Sequence, residues 1–171
     1  DLKDKKWEHL LFSYHGIPER HIRKSDITKS HCKINKSCCQ TTSEAHQYCY
    51  RHQCYETTRQ VAEYLELKEG TYSTSFQSRL GVDPWLQPYT DQTVARFAKK
   101  GIKNMAIVTP AFVSDCLETL EEIGMEAAED FEEKGGEELH VIPCINTRAD
   151  WVNVMSRWID QWAKSETATS A

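Results

Sequence analysis

Three sets of residues in this chain carry side chains able to do chemistry. The first is His15, which closes the apolar run LLFSYH and is followed at once by Gly16 and then Pro18. A neutral imidazole in a loop can accept a proton or ligate a metal. The second is the acidic row Glu118, Glu122 and Glu126. Four-residue spacing stacks these carboxylates on one α-helical face, where like charges cost about 0.2–0.5 kcal/mol per pair. Such a row suits a path for cations or protons. It equally suits a solvated face, because Glu121, Glu129, Asp130, Glu132 and Glu133 lie close by. The third set is Cys32, Cys38, Cys39, Cys49 and Cys54, spaced C-x5-CC-x9-C-x4-C. Four thiolates can hold zinc or a [2Fe–2S] cluster. The paired C-x2-C knuckles of zinc sites are missing, and His31, His46 and His52 are possible substitute ligands.

The elements that must position these groups are legible as periodic runs. Residues 10–14, 72–76, 105–109 and 139–143 are short apolar runs bounded by Gly, Pro, Asn or charge, and are predicted strands. Helical spacing is predicted over 44–69, 90–100, 115–134 and 149–163. Ser114-Asp115 supplies a start signal and Gly135-Gly136 a stop signal for the third of these. Strand–helix alternation implies an α/β fold: an open parallel four-stranded sheet with helices on both faces. Ligands of such sheets sit beyond the carboxyl ends of the strands, which is where His15 falls and where Glu118 would face. Residues 27–43 break the alternation and form a polar, cysteine-rich insert that continues to residue 54. Cys116 and Cys144 stand apart and fit buried thiols. Trp85, in FQSRLGVDPWLQP, could stack on a flat ligand or pack on the surface. His15 and Glu118 also fit a loop histidine bonded to backbone and a carboxylate favoured by a helix dipole.

Composition narrows the function classes. With 171 residues the chain suits one domain, expected over 1–164 with a disordered tail at 165–171. A net charge of −5 argues against a nucleic-acid partner, since phosphate binding needs a basic surface. No apolar run approaches the roughly 20 residues that span a bilayer. Seven cysteines without a visible signal peptide point to metal in a reducing compartment rather than to disulfides. The expected location is cytoplasmic. The first residue is Asp rather than Met, so a processed chain or a piece of a longer one is expected.

The stretches LLFSYHGIPER, CYETTRQVAEYL, TSFQSRLGVDPWLQPYTD, TPAFVSDCLETLEEI and HVIPCIN occur in this order across roughly residues 8–160. Together they resemble the carboxyl-terminal half of ferrochelatase, which inserts Fe2+ into protoporphyrin IX to make haem. The resemblance implies one Rossmann-like half of a two-domain class II chelatase fold, with the amino-terminal half and porphyrin as partners. It places the catalytic histidine on His15 and the active-site glutamate on Glu118. The acidic helix face falls on Glu122 and Glu126, and pocket-lining positions fall on Trp85, Phe112 and Tyr14. Many members have a histidine where Cys116 stands, so the role of that position does not carry over.

Some bacterial members hold a [2Fe–2S] cluster on internal cysteines, and residues 27–54 resemble that insert. Cys32, Cys39, Cys49 and Cys54 are then the favoured ligands, with Cys38 the rival of its neighbour. Zinc in the insert, an iron–sulfur sensing module and a cobalt or nickel tetrapyrrole chelatase are the alternatives. The hydrophobic product implies possible peripheral contact with the inner membrane.

Overall fold

The computed structural model describes residues 4–169. Four strands, β1 (His9–His15), β2 (Tyr72–Gln77), β3 (Asn104–Val108) and β4 (Glu138–Val141), form one parallel sheet in the order β2-β1-β3-β4. β1 and β3 are the inner strands, so β1 meets neighbours on both edges. The register pairs Ser13 with Ser75 and His15 with Gln77. Side chains alternate across a strand, and β1 uses both faces. Leu10, Phe12 and Tyr14 enter one core with Ile22 and Cys54. Leu11 enters the other with Val94, Ile123 and Phe131. Each fully buried Leu, Ile or Phe side chain contributes about 1.5–3 kcal/mol.

The first face is covered by α1 (Glu19–Ser25) and α3 (Tyr50–Tyr64), and the second by α4 (Thr90–Lys99) and α5 (Ala127–Glu133). The expected open α/β sheet with helices on both faces is therefore what the chain builds. A short helix, α2 (Lys36–Gln40), and a 3-10 turn (Glu44–Tyr48) lie within the cysteine-rich insert. The last helix, α6 (Ala149–Thr169), is exposed along most of residues 149–165 and runs past the predicted tail boundary at residue 165. Residues 170–171 lie outside the described residues. Among the described residues no helix is long and apolar enough to cross a membrane.

Two boundaries differ from the sequence reading, for stated physical reasons. The helix predicted over 44–69 is broken at Cys49, whose extended backbone separates the 3-10 turn from α3. The helix predicted over 115–134 is a π-helical segment (Glu118–Glu126) running into α5. Its i→i+5 bonding is seen where Ala127 N–H donates to Glu122 O. Asp115 does not start it. Instead, Asp115 Oδ2 accepts from Asn146 Nδ2 at 2.6 Å while Asn146 Oδ1 accepts from Asp115 N–H at 2.9 Å. That reciprocal pair ties the loop after β3 to the loop after β4.

Candidate active site and cysteine pocket

His15 is the last residue of β1 and lies on the Leu11–Ser13 side of the strand, the side that faces the π-helical segment. Its Nδ1 lies 2.6 Å from the carbonyl of Gly16. A carbonyl can only accept, so Nδ1 bears the hydrogen and Nε2 keeps the lone pair. The peptide that follows is pinned from both sides. Tyr50 Oη donates to His15 O at 2.8 Å, and Gly16 N–H donates to Gln77 O at 2.8 Å. A side chain at Gly16 would put its Cβ 2.8 Å from Gln77 O and 3.2 Å from the Trp85 ring. Glycine follows the histidine because β2 and Trp85 leave no room for anything larger.

Trp85 and Phe112 flank His15, with ring centroids 6.4 and 5.9 Å away. His15, Trp85, Glu118, Glu122 and Glu126 share one open cleft. The structure therefore gathers six of the seven residues expected to form the catalytic and substrate site. Tyr14 is the exception. It is 3 % exposed, points to the opposite face of the sheet, and its hydroxyl lies 3.0 Å from Thr58 Oγ1. Burial pushes that hydroxyl up to about 12. The period of two that puts His15 in the cleft removes its neighbour from it.

The partnership expected between His15 and Glu118 is electrostatic rather than a hydrogen bond that orients the ring. The ring is oriented by Gly16 O. Glu118 is held below the usual carboxylate range by a hydrogen bond from the Cys116 thiol, then by its own backbone and by the charge His15 carries when protonated. Cys116 thus supports the carboxylate instead of adding a second imidazole. The carboxylate of Glu122 is held at both oxygens by Ser78, whose N–H and Oγ each approach to 2.7 Å.

Beneath the cleft lies a buried row of polar side chains that composition and spacing did not single out. Ser13 Oγ donates to Gln77 Oε1 at 2.8 Å, and Gln77 Nε2 donates to the backbone carbonyl of Glu118 at 3.0 Å. Thr90 Oγ1 lies 2.8 Å from Ser13 Oγ and 2.9 Å from Ser75 Oγ. One hydrogen per hydroxyl fixes the order of donation: Ser75 to Thr90, Thr90 to Ser13, Ser13 to Gln77. The signal was present in the polar SxS pattern of β2 and in Thr90, but a buried hydroxyl cannot be told from a solvated one by sequence.

The cysteine-rich insert folds against α1 and the amino-terminal end of α3. All seven cysteines are free thiols. Cys32, Cys38, Cys39 and Cys49 line one small pocket with His31 and His46. Cys54 lies in the core beside it, 3 % exposed, within electrostatic reach of Cys49 and Cys39. Burial pushes Cys39 and Cys54 up to about 12 and raises Cys32. Burial also raises Cys38, but backbone hydrogen bonds from Lys33 and Asn35, with the charge of Arg51, outweigh it and leave this thiol below its ordinary value.

His31 Nε2 and His46 Nε2 both approach Cys38 O, at 2.7 and 2.9 Å, so both rings donate to it. Those histidines are therefore engaged with the backbone at Nε2. Among the described residues no three His, Cys, Asp or Glu groups are already arranged to hold a metal ion. The donor set nevertheless fits a thiolate-bound cluster. Arg51 is buried, its Nη1 donates to Cys39 Sγ at 3.1 Å, and its Nε is buried with no partner. A buried guanidinium with a spare donor, close to Cys39 and Cys38, suits an anionic iron–thiolate group.

The comparisons with known proteins agree with this geometry. The family model for ferrochelatase matches residues 1–163. The ferrochelatase of Opitutus terrae is 46% identical over 158 residues, covering 92% of this chain and 46% of that protein. Those of Pseudomonas fluorescens SBW25 and Legionella pneumophila Philadelphia 1 are 45% and 46% identical, each covering 90% of this chain and 45% of the relative. The chain spans about half the length of the curated relatives it matches. With a match over nearly every residue, and with His15, Trp85, Glu118 and Glu122 gathered in one cleft, the chain belongs to the ferrochelatase family.

Proposed function

We propose that this chain supplies the histidine-and-glutamate side of a ferrochelatase that inserts Fe2+ into protoporphyrin IX. The observation that carries the reading is the state of His15: its Nδ1–H is committed to Gly16 O, which leaves Nε2 as a proton acceptor in an acidic cleft. Metal insertion must remove two pyrrole N–H protons. Nε2 of His15 takes one proton, and the Glu118 carboxylate stabilises the imidazolium that results and shares the proton load when the second leaves. Glu122 and Glu126 continue the cleft as a hydrated path for a loosely held cation. Trp85 and Phe112 hold the flat macrocycle over the imidazole.

The amino-terminal half found in relatives is the partner that completes the pocket. The unpartnered stripe of α6, with Val152, Met155, Ile159 and Trp162 exposed at helical spacing, supports a missing packing surface. Four of Cys32, Cys38, Cys39, Cys49 and Cys54 would hold a [2Fe–2S] cluster, which supplies a stabilising crosslink and an electron-accepting centre when bound. A cytoplasmic enzyme in peripheral contact with the inner membrane is the location we propose.

The test is porphyrin metallation by the complete enzyme carrying His15→Ala. The expected result is near-complete loss of haem formation, with far-ultraviolet circular dichroism unchanged. Wild-type turnover by the variant would refute the assignment. Anaerobic purification with iron, sulfide and zinc counted on one sample tests the cluster: equal iron and sulfide support it, and zinc alone overturns it.

A further inference from the structure

Arg51 is 5 % exposed and its neighbours are uncharged groups. Its Nη1 donates to Asn35 O at 2.8 Å and to Cys39 Sγ at 3.1 Å, and its Nη2 lies 3.4 Å from Tyr55 Oη. Its Cζ lies 5.0 Å from the centre of the Tyr55 ring. Among the described residues no carboxylate pairs with it, and its buried Nε has no acceptor. A guanidinium keeps its proton in a protein, and a buried charge without an opposite charge is costly. The one partner able to become an anion is the sulfur.

Two further features bear on the same sulfurs. Cys49 stands directly before the first turn of α3, where no side chain caps the free N–H groups. A helix start of this kind favours negative charge. The histidines of the insert serve the backbone instead. His31 Nε2 and His46 Nε2 donate to Cys38 O, and His52 Nδ1 donates to Cys39 O at 3.0 Å. All three rings thus hold the carbonyls of the cysteine pair.

We propose that the pocket takes a metal group held by thiolates alone, and that Arg51 is its built-in counter-ion. The inference rests on the reading of the insert as a metal site and deepens it by naming the charge and the ligand class. Each thiol that binds metal releases its proton to solvent and keeps a negative charge on sulfur. Four thiolates around Zn2+ or a [2Fe–2S]2+ core leave two negative charges, and each imidazole that replaces a thiolate removes one. Two thiolates with two imidazoles around Zn2+ leave none, and Arg51 stays unbalanced.

The test titrates Co2+ alone into the reduced chain without oxygen. Cobalt's visible bands move to longer wavelength with each thiolate bound. The wild type should show the spectrum of four thiolates, and the double variant His31→Gln, His46→Gln should show the same one. A spectrum of mixed sulfur and nitrogen ligands, or one that changes in the double variant, would overturn the all-thiolate site.

Arg51→Met should bind Co2+ about ten-fold more weakly or worse, the factor for one hydrogen bond to a charged group. Without metal the same variant should melt no lower than the wild type, because Asn35 O keeps the Cys38 thiol as a donor at 3.1 Å. A purely structural role predicts the reverse. Equal Co2+ affinity, or a metal-free variant that melts early or fails to fold, would therefore overturn the counter-ion. Arg51→Lys keeps the charge and should bind Co2+ more tightly than Arg51→Met; equal affinities would also overturn it. A wild type with no cobalt–thiolate bands refutes the metal site itself, whereas normal bands indifferent to Arg51 refute only this inference. An active His15→Ala enzyme would change none of these readings.

Discussion

Ser78 holds both oxygens of Glu122: its N–H and its Oγ each lie 2.7 Å from the carboxylate. Ser78 pays for this grip with a left-handed backbone, φ 63°, directly after the last residue of β2. The contact anchors the π-helical segment to the strand end, so the acidic row is placed by β2 as well as by its own helix. Ser78→Ala removes one of two charge-assisted bonds and should lower stability by about 1.5–3 kcal/mol. Urea denaturation measures it, and an unchanged midpoint would show that Glu122 finds an equal donor in water.

Gly16→Ala tests the crowding behind His15. The added Cβ meets a backbone carbonyl, Gln77 O, at 2.8 Å, and the backbone of β2, paired along its length with β1, cannot swing aside as a flexible side chain can. Overpacking of this kind costs about 1–3 kcal/mol. The expected outcome is that loss of thermal stability, together with a changed His15 environment in the 15N spectrum. Stability within a few tenths of a kcal/mol of wild type would contradict the described packing.

His9 supplies a pH dependence. It is buried at the start of β1, with Nε2 2.8 Å from Ser73 Oγ and its ring 4.1 Å from that of Phe97. Burial lowers its pKa from 6.5 to about 4; a hydrogen bond to the Gly70 backbone opposes this and the charge of Arg96 adds to it. Between those values the unfolded chain binds a proton that the folded chain refuses. The stabilisation is therefore complete above pH 6.5 and is lost as pH falls toward 4. Over that window the wild type should lose roughly 3 kcal/mol that His9→Gln does not. Urea titrations of both chains at the two ends of the window would show it, and parallel losses would refute it.

Much of this was legible in the sequence because the signals were periodic. The four strands were found to within a residue or two, since apolar runs ended by Gly, Pro or charge leave little choice. His15, Glu118, Glu122, Glu126, Trp85 and Phe112 were singled out by their place at strand ends or their match to family motifs, and the structure brings them close to one another. Other features were not legible because they depend on partners far along the chain. Asp115 carries a helix-start signal, but Asn146, 31 residues on, competes for it and wins. A π-helix has no distinct composition, so the Glu118–Glu126 segment reads as an ordinary helix. Tyr14 was placed in the site through the family resemblance, and alternation along the strand places it in the opposite core instead.

The buried row from Ser75 through Thr90 and Ser13 to Gln77 has a consequence for the cleft above it. Every hydroxyl in it has one hydrogen, and each is already spent on the next member. No member can turn around alone, because reversal at one place leaves a donor facing a donor at the next. Reversing the whole row would also break the bond from Gln77 to the Glu118 carbonyl. The row therefore behaves as one frozen polarisation, chosen when the chain folds. The field at the start of the acidic segment is therefore set by the fold and stays constant whatever charge enters the cleft.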